Sequence, residues 1–170
     1  MKLKKFVSGL TSAVVGAGMI TLLPALTDNA YAAEVVSNDF EISYEGWHPN
    51  NDAVTLTAED GIGYDGTRGM SVTGRTDSTQ GVSSSKGFYL YGGISYDYSV
   101  KVYSESSETF RLALRTLDRE TDEETIVELD SAKAKAGEWT ELSGVYAAPE
   151  NSYEFELVIT TDSTNDFAFD

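Results

Sequence analysis

The stretch Tyr96-Asp97-Tyr98-Ser99-Val100-Lys101-Val102-Tyr103 alternates without a break: Tyr96, Tyr98, Val100 and Val102 share one face, and Asp97, Ser99, Lys101 and Tyr103 the other. Thr109 to Leu117 repeats the pattern, with Phe110, Leu112 and Leu114 inward and Arg111, Ala113 and Arg115 outward. Successive side chains of an extended chain point to opposite sides, so both segments read as strands with one buried face. Working outward, Val54, Leu56 and Ala58 alternate with polar residues, and Met70 and Val72 do so within Arg68 to Arg75. Further strands are expected at 124–131, 138–147, 153–161 and 166–170. Polar turns separate them, among them Gly61-Ile62-Gly63-Tyr64-Asp65-Gly66 and Ser104 to Glu108. Eight or more short antiparallel strands, each with one apolar face, must close on each other as two sheets or a barrel, so the expected fold is all-β.

The first thirty residues stand outside this pattern. Lys2, Lys4 and Lys5 precede an apolar run from Phe6 to Leu26, which ends in Ala30-Tyr31-Ala32, a small-x-small sequence that a signal peptidase accepts. The run is long enough for a membrane anchor, but Pro24 and the small residues at its end favour cleavage. Residues 1–32 are therefore expected to be a signal peptide, 33–37 a short linker and 38–170 the folded module of a secreted protein with no stable membrane anchor.

The 170 residues hold 28 acidic and 12 basic side chains, a net charge of −16. Removing residues 1–32 takes away three lysines and Asp28, which leaves a module of net −18. A surface of that sign repels polyanions, so nucleic acid is excluded as a partner. The absence of cysteine removes disulfides and thiolate zinc sites, and leaves an oxygen-ligated metal such as calcium as the plausible ion outside the cell. Asp118, Glu120, Asp122 and Glu124 imitate a calcium loop, yet Glu123 and Leu129 stand where glycine and glutamate are required, so the segment reads as a solvated hairpin tip. Asp162-Ser163-Thr164-Asn165-Asp166 reads as a turn.

Catalytic chemistry has few footholds. His48 is the single histidine and no Gly-x-Ser-x-Gly elbow accompanies it, which argues against a serine triad. A glycosidase needs two carboxylates at a set separation, and no segment singles out such a pair. A binding module suits the aromatic content better, since sugar rings pack their C–H faces on tyrosine and tryptophan while charged and amide groups take the hydroxyls. Seven of the 10 tyrosines fall between residues 64 and 146.

Several segments, in order and spacing, resemble carbohydrate-binding module family 22: Asp39-Phe40-Glu41, Glu45-Gly46-Trp47, Val54-Thr55-Leu56-Thr57, and Gly66-Thr67-Arg68-Gly69-Met70-Ser71-Val72-Thr73-Gly74-Arg75-Thr76. In the second half the long strand from Tyr96, Gly137-Glu138-Trp139-Thr140-Glu141-Leu142-Ser143-Gly144 and Phe167-Ala168-Phe169-Asp170 agree. The resemblance covers residues 38–170. It implies a β-jelly-roll, a two-sheet antiparallel β-sandwich, that binds xylan, sometimes mixed-linkage β-glucan, in a cleft on one sheet, beside a downstream endo-1,4-β-xylanase catalytic domain. By the same resemblance the final strand is cut short at Asp170 and the chain is the leading module of a longer enzyme. A structural Ca2+ is implied, with Glu41 and Asp170 as carboxylate ligands and the Thr67-Arg68 loop supplying backbone oxygen. Trp47 and Trp139 are implied to be structural core.

At the sugar-binding positions the sequence departs from the family. The family's arginine after Gly-Trp falls at Asn50, its stacking tryptophan at Thr79 and a tyrosine near Ile126. An ungapped match back from Phe167 puts a tyrosine and a glutamate of the penultimate strand on Leu157 and Ile159, and would bury Glu156 in the core. A one-residue slip in the following turn instead buries Phe155, Leu157 and Ile159 and turns Glu156 and Val158 to the cleft; this register is preferred because residues alternate. The candidate sugar-binding residues are Asn50, Arg75, Thr79, Tyr103, Arg115 and Glu156. Two other readings are a spacer module that no longer binds sugar and a small carboxylate-dependent glycosidase.

Overall fold

The structure is a computed structural model that describes residues 2–6, 33–84, 88–89, 94–118, 120–149 and 154–170. In chain order its strands are β1 (Lys2–Phe6), β2 (Ala33–Ser37), β3 (His48–Pro49), β4 (Thr55–Glu59), β5 (Gly69–Thr73), β6 (Gly81–Ser83) and β7 (Phe88–Tyr89). They continue with β8 (Ser95–Tyr103), β9 (Thr109–Leu117), β10 (Glu124–Lys133), β11 (Thr140–Ala147), β12 (Glu154–Thr161) and β13 (Phe167–Phe169). All pairings are antiparallel. Sheet A runs β2-β1-β8-β13-β5-β4 with β11 on the other edge of β8, and sheet B runs β10-β9-β12-β6-β3 with β7 beside β12.

The two alternating segments that decided the fold class form β8 and β9, one in the middle of each sheet. Burial alternates residue by residue along both. Tyr96, Tyr98, Val100 and Val102 of sheet A therefore face Phe110, Leu112 and Leu114 of sheet B across a core completed by Met70, Val72, Leu142 and Phe169. Each of these side chains leaves water almost entirely, worth about 1.5–3 kcal/mol apiece. Phe40, held at a positive φ of 57°, packs edge-on against Phe169, and Trp47 lies 4.9 Å from the same ring. The Trp47 indole N–H donates to Asn38 Oδ1, so its polar end is satisfied inside the core.

Some boundaries differ from the sequence reading. The strand expected from 138 begins at Thr140, because Glu138 belongs to a turn in which its N–H donates to the Lys135 carbonyl and Gly137 takes φ 73°. β3 and β6 carry no alternation and were not expected; β6 is buried along its whole length between β12 and β3. Ala33–Ser37, read as a linker, pairs as β2 with β1, and β1 in turn covers the Ser95–Ser99 half of one β8 edge while β13 covers the other half. Residues 7–32 of the expected signal peptide lie outside the described residues. The Asp118–Glu124 segment is the solvated tip of the β9–β10 hairpin: Asp118 Oδ1 accepts the Glu120 and Thr121 N–H groups, and Asp122 takes φ 55°.

Candidate functional site

Residues directly opposed in an antiparallel ladder share a face. Arg115 of β9 lies opposite Ile126 of β10 on one side and Glu156 of β12 on the other. The next row reads Glu128, Ala113, Val158, Ser83 and His48 across β10, β9, β12, β6 and β3. These side chains make up the outer face of sheet B.

Glu156 is the centre of this face. Phe155, Leu157 and Ile159 are at most 1% exposed in the core, so Glu156 and Val158 point outward, as the slipped register requires and the ungapped match does not. Leu157 and Ile159, the positions the ungapped match offered to the sugar, are core residues. Although it faces outward, the Glu156 side chain is only 5% exposed. One carboxylate oxygen pairs with Arg115 Nη2, and the other lies 3.4 Å from His48 Nε2, a close approach without a hydrogen bond. Beside it the buried Ser83 hydroxyl has no hydrogen-bond partner among the described residues. A third of the Arg115 side chain stays open to solvent. The face thus offers a guanidinium, an imidazole and an unsatisfied carboxylate oxygen and hydroxyl, a set suited to sugar hydroxyls. Ile126, 69% exposed, is the apolar group at the position where the family's tyrosine was expected. Glu128 on the same face lies 3.8 Å from Arg111, so neither of these acids is arranged as a free proton donor or nucleophile.

Of the other candidates, Asn50 and Thr79 come together at one end of this face. Asn50 Nδ2 donates to the Thr79 carbonyl and Asn50 Oδ1 accepts the Gly81 N–H, which ties β3 to β6, while the Thr79 hydroxyl is committed to Asp77. Arg75 does not belong to the site. It is 6% exposed and its guanidinium donates to the carbonyls of Gln80, Ser163 and Asn165 and to the Thr161 hydroxyl, which clamps the 162–166 turn to sheet A. Burial lowers its pKa, opposed by Glu108 and Asp166. Tyr103 projects from the non-core face of its strand, as expected, but that strand is in the other sheet, so it lies on the opposite side of the sandwich from Arg115. Its hydroxyl donates to Glu105 at 2.6 Å, and this bond holds its pKa above the usual tyrosine value. Trp139 is only half-buried and stacks with Tyr103 at 5.5 Å, so its reading as core is corrected, whereas Trp47 at 3% exposure is core. His48 and Ser83 were missed: their strands carry no periodic signal, and only the pairing of β3 with β6 sets them beside Glu156.

Glu41, Thr67 and Asp170 border a second region, a cavity over the middle of β8 in sheet A, where the chain leaves β13. Glu41 Oε1 accepts the Arg68 N–H, and Asp170 Oδ2 accepts the Tyr64 N–H and the Thr67 hydroxyl, so two carboxylates bracket one loop. No group of three or more His, Cys, Asp or Glu able to hold a metal occurs among the described residues. Two carboxylates, a hydroxyl and loop carbonyls are nevertheless an all-oxygen donor set of the kind calcium takes.

Comparison with known proteins gives this geometry its context. Residues 32–165 match the family model of a carbohydrate binding domain. The chain is 43% identical over 173 residues to endo-1,4-beta-xylanase Y of Acetivibrio thermocellus, covering 100% of this chain and 16% of the relative. It is 25% identical to endo-1,4-beta-xylanase A of Thermotoga neapolitana, over 77% of this chain and 13% of that one. Among solved structures, the CBM22-1-GH10 modules of Clostridium thermocellum endo-1,4-beta-D-xylanase 10B, complexed with xylohexaose, superpose with a TM-score of 0.76 at 45% identity, over 80% of this chain and 27% of that one. A xylan-binding domain from CBM 22 shares the fold, with a TM-score of 0.66 at 23% identity, over 77% of this chain and 86% of that one. The chain spans only a small part of the curated relatives' length. With its sandwich fold and its sequence match over most of the chain, it belongs to the carbohydrate binding domain family, and its fold is that of the CBM22 modules among the solved structures.

Proposed function

We propose that the module holds a larger endo-1,4-β-xylanase on xylan through the outer face of sheet B. The observation that carries this reading is the Arg115–Glu156 pair, flanked by His48 and Ser83 and turned away from the core in a chain 45% identical to a structure complexed with xylohexaose. Affinity electrophoresis on oat-spelt xylan, barley β-glucan and an inert gel tests it: retardation on xylan is expected, and unretarded migration on every glycan would leave only the spacer reading. That second reading draws on Asn50, Thr79 and Ile126 at the substituted positions and on the burial of Arg75. Retardation on the β-glucan gel would extend the ligand range to mixed-linkage chains.

The basic, apolar leader at residues 1–32 supports export, and no described helix is long and apolar enough to cross a membrane. In the exported protein Glu41, Asp170, Thr67 and the Thr67-Arg68 backbone hold a structural Ca2+, which joins the loop to the last strand and adds stability by binding only the folded state. A melting temperature unchanged by chelator would contradict this assignment.

A further inference from the structure

The outer face of sheet A carries a cavity of about 560 Å³ that the reading above does not use. Its floor is a row of directly opposed residues across three strands, Tyr103, Ala168 and Ser71. An exposed sheet face ordinarily carries long side chains, but Ala168 and Ser71 are small, which leaves a flat strip. Tyr103 and Trp139 wall one end, their rings 5.5 Å apart and tilted by 41°. The Gly61–Gly66 loop walls the other side, and its glycines at 61 and 66 take φ of 82° and 78°, so that wall approaches as bare backbone. Glu59, Asp65, Glu105 and Asp166 ring the opening, and no lysine, arginine or histidine lines it among the described residues.

The geometry points to a second carbohydrate site here, on the opposite side of the sandwich from Arg115 and Glu156, that takes a neutral β-linked pyranose. A ring laid on the Ser71–Ala168 strip meets the Tyr103 and Trp139 rings with its C–H edge and donates its hydroxyls to the surrounding carboxylates. The same carboxylates repel uronic acids, so the site selects unsubstituted sugar. Only the identity of the sugar, xylose, rests on the function proposed above.

The chain has two tryptophans, Trp47 in the core and Trp139 in this cavity, so tryptophan fluorescence reads the site directly. Xylotetraose is titrated into the whole module, into the double variant Arg115→Met/Glu156→Leu, into Ser71→Arg and into Tyr103→Ala, each checked for native circular dichroism. The expected result is a saturable change in the wild type that survives in the double variant, disappears in Ser71→Arg and needs on the order of tenfold more sugar in Tyr103→Ala. A glucuronic-acid-substituted xylooligosaccharide binds on the order of tenfold more weakly. No response in the wild type, loss of response in the double variant, or an unchanged response in Ser71→Arg overturns the site; equal binding of the substituted sugar overturns the neutral-sugar assignment. Retardation on a xylan gel is read in parallel. Equal retardation of wild type and double variant refutes the sheet B reading and leaves this one standing, whereas a lost fluorescence response with retardation dependent on Arg115 and Glu156 does the reverse.

Discussion

Replacing Arg115 with methionine separates two things that the outer face of sheet B combines, stability and recognition. The substitution keeps an unbranched side chain over the sheet but removes the cation from a carboxylate whose side chain is 5% exposed. Only His48, at 3.4 Å and 45% exposed, then faces Glu156. Breaking a buried ion pair by deleting one partner costs about 3–5 kcal/mol, and the 32% exposure of the Arg115 side chain places this case at about 3 kcal/mol. For a module of this size that is a fall in melting temperature of roughly 10 °C. Replacing both partners, as in Arg115→Met/Glu156→Leu, removes the stranded charge together with its counterion, so the double variant returns to within about 1 kcal/mol of wild type. Differential scanning calorimetry supplies the stabilities and affinity electrophoresis the binding. Both variants lose retardation on xylan, although only the single one is destabilised. A single variant that melts within about 2 °C of wild type would refute the reasoning, because the pair would then be behaving as a solvent-screened surface bridge.

Three further outcomes are expected. Arg75→Met removes four hydrogen bonds, to the Gln80, Ser163 and Asn165 carbonyls and the Thr161 hydroxyl, and lowers stability by about 3 kcal/mol in urea unfolding while leaving xylan affinity of the folded protein unchanged. Gly81→Ala drives a Cβ into the Ile159 carbonyl oxygen in the β6–β12 ladder, which cannot yield without breaking the pairing, so the variant loses at least about 3 kcal/mol or fails to fold, as judged by soluble yield and urea midpoint. Asp162 accepts the Thr109 N–H at 2.8 Å, which holds its pKa below the ordinary 3.8. A depressed native pKa gives stability that is fully present above the unfolded value and lost as pH falls through the native one; the melting-temperature gap between wild type and Asp162→Asn should therefore close as the pH drops below about 4.

The residues on the outer face of sheet B show how far the sequence could be read. Arg115 and Glu156 were legible because both sit on long strands whose alternation states which side faces the core, and for Glu156 that alternation chose the correct register over the ungapped match. Arg75 was misread because a guanidinium beside a turn looks the same in sequence whether it meets solvent or four acceptors of the protein itself. Trp139 was misread because a tryptophan in a turn has no periodicity to report its face.

Local patterning by itself determined that the chain is all-β, which residues of β8, β9 and β12 enter the core, and that Asp118–Glu124 is a solvated tip. These are properties of a strand two residues at a time, fixed by the pleat wherever the strand comes to lie. Which sheet each strand joins was decided only in three dimensions. Tyr103 and Arg115 both project away from the core, twelve positions apart, yet consecutive strands entered different sheets and put them on opposite sides of the molecule. The short, pattern-free strands β3 and β6 acquire their role the same way: long-range pairing brings His48 to Ser83 and sets both beside Glu156. No residue-by-residue periodicity encodes that convergence, because it depends on the closure of distant parts of the chain.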